Sequence, residues 1–212
     1  MDHAFWHDKW QANQIGFHQP HPNGLLTRHL SALCLPAGAR LFLPLCGKTL
    51  DIHWLHQQGF HVIGAELSEL AITQLFDEMA LTPRITRLDH HICYSAPRLD
   101  LYVGDIFDLT ADQTGPIDAI YDRAALVALP GDMRPRYAAH LATLSQRAPQ
   151  LLITFTYDQT AMQGPPFSID ADAVAHLTRA DYTRRALETV EVPGGLKGRC
   201  PATATAWHLR AR

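Results

Sequence analysis

The chain has 212 residues, 47% of them hydrophobic, with 18 Lys and Arg against 21 Asp and Glu for a formal net charge of -3. That length suits one sizeable core and falls short of two independent domains, so a single α/β domain over 1–212 is expected, with 1–35 as a helical extension or lid. The basic residues are scattered, which excludes nucleic acid as an expected partner, and four dispersed cysteines without a C-x-x-C pair point to a reducing, cytoplasmic setting.

The first ten residues interleave Asp2, His3, His7, Asp8 and Lys9 with apolar ones, so neither a signal-peptide core nor a membrane anchor is expected. Phe5, Trp6 and Trp10 fall at helical spacing behind Asp2, which predicts a short helix, N-capped by Asp2 and carrying two indoles on one face. The Gly-, Pro- and Asn-rich stretch 14–24 reads as loop, and a short helix is expected over 25–33.

Arg40 to Leu43 has the composition of a buried strand, the turn Pro44-Leu45-Cys46-Gly47-Lys48 follows, and Leu50, Ile52, Trp54 and Leu55 mark a helix that Gly59 ends. His61 to Ala65 predicts a second strand closing on Glu66. Ser68 then caps a helix with Ala71, Ile72, Leu75, Phe76 and Met79 on its apolar stripe. This βαβα rhythm predicts a parallel sheet. Residues 80–97 carry no clear pattern. Strands over 99–103 and 117–121 are expected to stop at Gly104-Asp105 and Asp122-Arg123. A helix over 134–147, a strand over 150–157 and a loop at Gly164-Pro165-Pro166-Phe167 follow. The chain closes with strands over 186–192 and 202–209, joined by a Gly-rich turn into an antiparallel hairpin at the sheet edge.

In an open parallel sheet, ligands bind beyond the carboxyl ends of the strands. Those ends supply Leu45 to Gly47, Glu66, Asp105 and Asp122-Arg123. Glu66, nineteen residues after Gly47, stands where a strand-end acid accepts hydrogen bonds from both hydroxyls of a ribose. Asp105 with Ile106 suits an adenine edge and face, with a helix or turn cap as the alternative role for Asp105. Gly47-Lys48-Thr49 lacks the first glycine of a phosphate-binding loop, since Phe42 occupies that position, and the G-x-G-x-x-G of a dinucleotide site is absent. A cofactor with adenosine and no phosphate meets these conditions. The thirteen histidines include no triplet with metal-ligand spacing, so no metal is expected. No nucleophile elbow is present, and Cys46 reads as a packing residue.

Phe5-Trp6-x-x-x-Trp10, Ile15-Gly16-Phe17-His18, Pro44-Leu45-Cys46-Gly47-Lys48, Gly64-Ala65-Glu66-Leu67-Ser68, Gly104-Asp105-Ile106-Phe107, the run Tyr121 to Pro130 and Gly164-Pro165-Pro166-Phe167 together resemble the thiopurine S-methyltransferase family, nearest its bacterial branch. The resemblance spans nearly the whole chain. It implies a Rossmann-like, seven-stranded methyltransferase sheet, mostly parallel with an antiparallel C-terminal hairpin and helices on both faces. It also implies S-adenosyl-L-methionine as cofactor, with contacts from Trp10, Leu45, Glu66 and Arg123 and with Asp105 and Ile106 beside the adenine. The implied activity is S-methylation of thiopurines or other aromatic and heterocyclic thiols. Selenium or tellurium compounds are the alternative acceptors, and a non-catalytic S-adenosylmethionine-binding module is the alternative role.

Transfer of a methyl group to a thiolate needs positioning and water exclusion more than proton transfer. No residue is therefore assigned as acid or base. Arg123 and Phe17 are expected to position the reactants, Trp10 and Phe17 to form an apolar lid, and the Leu45 carbonyl to meet the methionine ammonium. The partner is a small molecule, and a monomer is expected.

Overall fold

The structure, a computed structural model, describes residues 3–15 and 18–212. Two short helices open the chain, α1 (His3–Gln11) and α2 (Gly24–His29), and the Asn23 side chain caps α2 by accepting from the Leu25 and Leu26 N–H groups. The single helix expected over 25–33 is split: α2 gives way to a 3-10 turn, Leu30–Leu33, before Cys34 takes a left-handed conformation and ends it. Asp2, expected as the cap of α1, lies outside the described residues.

The alternating core follows as β1 (Arg40–Leu43), α3 (Leu50–Gln57), β2 (His61–Glu66), α4 (Glu69–Glu78), β3 (Arg84–Arg87), β4 (Ile92–Ala96), β5 (Leu99–Val103), α5 (Ala111–Thr114) and β6 (Ala119–Arg123). It continues through α6 (Arg134–Leu144), β7 (Gln150–Tyr157), α7 (Ala171–Thr178), β8 (Tyr182–Glu191) and β9 (Ala202–Ala211). Among the described residues nine strands form one sheet in the order β3-β4-β5-β2-β1-β6-β7-β9-β8. The segment β5-β2-β1-β6-β7 is parallel, and β9 and β8 complete it as the expected antiparallel hairpin.

Seven of these strands are those the sequence anticipates. The other two, β3 and β4, form an antiparallel hairpin that extends the sheet beyond β5. They occupy the stretch that showed no pattern, because β3 is an edge strand exposed along its whole length and so has no buried face to impose alternation. The fourth core strand runs two residues later than expected, with Asp122 and Arg123 inside it. The helix α7, unmarked in the sequence reading, is capped by Asp170.

The sheet has helices on both faces. On β1, Leu41 and Leu43 point to one side and pack with Ile52 and Leu55 of α3 and with Ile72 and Leu75 of α4; Phe42 points to the other and packs with Tyr137 and Leu141 of α6. Full burial of each such side chain is worth about 1.5–3 kcal/mol. With its central strands parallel and covered on both sides, the sheet directs their C-terminal ends to one edge, where a ligand crevice forms. No helix among the described residues is long and apolar enough to cross a membrane.

Candidate functional site

Beyond the ends of β1, β2 and β6 lies a cavity of about 540 Å³. Its floor is the turn after β1. Leu45 sits at φ 45° and Gly47 at φ 54°, and the turn is tied to β2 by the Cys46 N–H, which donates to the Ala65 carbonyl at 3.0 Å. A left-handed leucine costs of order 1–2 kcal/mol, and Ala124, at φ 65° on the same cavity wall, carries a similar strain. Both residues line the cavity.

Glu66 ends β2 with its carboxylate buried on the cavity wall. Oε2 accepts the Gly47 N–H at 2.8 Å and Oε1 the Ser68 N–H at 2.9 Å. Burial pushes the carboxyl above its ordinary range, against the lowering effect of those amides. An ionised carboxylate accepts about four hydrogen bonds, so each oxygen retains capacity for a ligand hydroxyl. Across the cavity, Arg123 at the end of β6 has a buried Nε with no hydrogen-bond partner among the described residues. An orphaned guanidinium N–H is costly, and an acceptor group on a ligand would satisfy it.

Trp10 of α1 is buried and completes the cavity from above, with Phe5 and Trp6, whose rings meet edge to face at 5.2 Å, beside it. Four of the expected cofactor contacts, Trp10, Leu45, Glu66 and Arg123, therefore share one cavity. Asp105 and Ile106 do not line it. Asp105 Oδ1 caps the following turn through the Phe107 N–H at 3.0 Å, Oδ2 meets His3 Nε2 at 3.1 Å, and Ile106 is buried in the core. Phe17 lies outside the described residues. Asp122, next to Arg123 in sequence, faces the core instead and accepts from the Tyr137 hydroxyl at 2.8 Å and the Leu126 N–H at 3.1 Å.

Asp51, Tyr121 and His18 are among the lining residues to which the sequence reading gave no role. Asp51, in the first turn of α3, is buried and accepts from the Asn23 N–H at 2.6 Å and the Tyr121 hydroxyl at 2.9 Å. It ties the N-terminal segment to β6, and the burial and charge around Tyr121 push that phenol well above its ordinary value. The third is His18, on the loop after α1. The one available signal was Thr49 as the helix cap, which makes Asp51 a first-turn acid beside the cofactor turn. Cys46 is buried and its thiol is pushed well above its ordinary value, chiefly by that burial, so it packs and does not ionise. Among the described residues no group of three His, Cys, Asp or Glu is placed to hold a metal ion.

A family model described as thiopurine S-methyltransferase matches residues 1–199. A thiopurine S-methyltransferase of Xanthobacter autotrophicus is 52% identical over 210 residues, covering 99% of this chain and 99% of that one. One of Gluconobacter oxydans is 50% identical over 206 residues, covering 97% and 94%. Among solved structures, a 1,6-didemethyltoxoflavin-N1-methyltransferase of Burkholderia thailandensis, with bound 1,6-didemethyltoxoflavin and S-adenosylhomocysteine, aligns at TM-score 0.68 and 15% identity over 99% of this chain and 87% of that one, which establishes a shared fold.

Proposed function

The chain belongs to the thiopurine S-methyltransferase family, and on that premise we propose that it methylates the sulfur of an aromatic or heterocyclic thiol. It is a methyltransferase whose cofactor is S-adenosyl-L-methionine, which supplies an electrophilic methyl group on a sulfonium. The observation that carries the proposal is the meeting of Glu66, Leu45, Arg123 and Trp10 on one cavity of about 540 Å³, a size suited to a cofactor and a small acceptor together.

The wall chemistry fits that cofactor. Glu66 would hold the ribose hydroxyls through its spare acceptor capacity, with charge-assisted bonds. The backbone of Leu45 would receive the ammonium, and the unpartnered Arg123 Nε would meet an acceptor atom of the methionine or of the acceptor molecule. Trp10 on α1 would exclude water, so we read residues 1–35 as a lid over the site. Apolar residues on the remaining walls, Phe155, Val127, Pro165 and Leu196 among them, suit a flat aromatic acceptor.

The test is transfer of isotopically labelled methyl from S-adenosyl-L-methionine to a panel of aromatic thiols, with selenium and tellurium acceptors alongside. Methylthio products support the proposal. Transfer confined to the selenium or tellurium acceptors, or cofactor binding without transfer to anything, overturns it.

A further inference from the structure

Among the described residues, His18 supplies the one imidazole on the cavity wall. Its backbone N–H donates to the Ile15 carbonyl at 2.8 Å. The charged groups that act on it come from four elements: Lys48 from the turn after β1, Asp51 from α3, Glu78 from α4 and Arg123 from β6.

Most of the other ionisable groups on this wall already make hydrogen bonds within the protein. Both Glu66 oxygens accept backbone amides, and both Asp51 oxygens are engaged by Asn23 and Tyr121. Lys48 pairs with Glu78 at 2.5 Å, and the Lys197 ammonium donates to the Pro165 carbonyl at 2.7 Å. Tyr121 and Cys46 hold their protons far above neutral pH. The imidazole is the side chain whose ordinary pKa lies nearest neutrality, and on this wall, among the described residues, His18 alone carries one.

We propose that the His18 imidazole is the general base that removes the proton of the acceptor thiol. This rests on the reading of the acceptor as a thiol. The S–H bond breaks as the proton moves to an imidazole nitrogen, and the freed sulfur pair forms the new S–CH3 bond. The sulfonium C–S bond breaks in that step with its electrons remaining on the departing thioether, and the imidazolium then returns its proton to solvent. Burial first, then Lys48 and Arg123, hold His18 below the ordinary histidine value, against the raising effect of Glu78 and Asp51. The ring is therefore neutral and ready to accept at pH 7. Arg123, on the same wall with an unpartnered Nε, would also favour a thiolate developing in the cavity.

The experiment compares wild type with His18→Gln on substituted thiophenols and benzyl thiols of graded acidity. Binding of S-adenosylhomocysteine and the thermal transition are measured on both proteins to show that the variant is folded and loaded. General-base catalysis contributes about 100-fold or more, so H18Q should lose about that factor in kcat/KM at pH 7 on the least acidic thiols. It should lose less than about threefold on a nitrothiophenol that is already ionised. For the weakly acidic thiols, wild-type kcat/KM should fall as the pH drops through the lowered His18 pKa, and H18Q should lack that limb. The imidazole resonance missing from the H18Q spectrum should titrate below the ordinary histidine value and move when a thiol is added to the S-adenosylhomocysteine complex. A uniform loss across all thiols, or no loss, in a folded H18Q overturns the proposal alone. Wild-type protein that methylates no thiol overturns the thiol reading and this proposal with it.

Discussion

Glu66 Oε2 accepts the backbone N–H of Gly47 at 2.8 Å, so the acid that ends β2 clamps the turn that follows β1. The bond joins two neighbouring parallel strands at their C-terminal ends, where the register pairs Leu43 with Gly64. One carboxylate thus shapes the floor of the cavity and faces its interior. Replacing Glu66 with Ala should weaken S-adenosylhomocysteine binding by about 1–3 kcal/mol, through lost charge-assisted bonds to the ribose and a loosened Gly47 turn. Calorimetric titration of the folded variant checks this, and unchanged affinity would reject the role.

The lid reading of α1 makes a separate prediction. Trp10→Phe keeps most of the apolar volume, so a role confined to packing predicts little change in anything. A cofactor-facing role predicts weaker S-adenosylhomocysteine binding at a nearly unchanged thermal transition. Deleting residues 1–17 should leave the sheet folded and remove most methyl transfer, because water enters the cavity. Circular dichroism together with the labelled-methyl assay separates the outcomes: full activity makes the segment dispensable, and unfolding makes it part of the core.

Asp122 gives stability a pH dependence. Burial pushes its carboxyl up to about 6 from an ordinary 3.8, despite the bonds from the Tyr137 hydroxyl and the Leu126 and Ala125 amides. The folded state therefore holds this proton more firmly than the unfolded chain. The contribution is fully present below about pH 4 and is lost as the pH rises through about 6, a change of at most about 3 kcal/mol. Denaturant unfolding between pH 4 and 7 should show wild type falling relative to Asp122→Asn, with a constant offset from altered hydrogen bonds. Parallel profiles for the two proteins would contradict this.

Gly64 in β2 leaves no room for a side chain. A Cβ there would lie 2.6 Å from Leu101 Cδ2 and 2.8 Å from Cys46 Sγ. Gly64→Ala should cost about 1–3 kcal/mol by overpacking. Because Cys46 belongs to the cofactor turn, cofactor affinity should fall as well. Thermal unfolding and S-adenosylhomocysteine titration of the variant check both effects, and an unperturbed protein would show that the contact relaxes freely.

The elements that the sequence determined by itself are those written in local periodicity and capping. The apolar runs of β1 and β7 mark both ends of their strands, and Ser68 caps α4 as expected through the Ala71 N–H. Parallel topology then places Leu45, Glu66 and Arg123 together at one sheet edge without any knowledge of packing, because strands joined by right-handed crossovers end on the same side. The tertiary structure decided the rest. An exposed edge strand such as β3 buries no face, so nothing in its residues alternates, and its place beside β4 follows from pairing alone. Asp105 could contact a ligand or cap a turn on sequence grounds; the bond from the Phe107 N–H is local, whereas the contact with His3 depends on where α1 comes to rest. His18 and Arg123 are more than a hundred residues apart with no spacing to relate them. Only the packing of the N-terminal loop against the strand ends brings an imidazole, a guanidinium and the Asp51 carboxylate to one cavity, because side-chain convergence across that separation is a property of the assembled core and not of any local pattern.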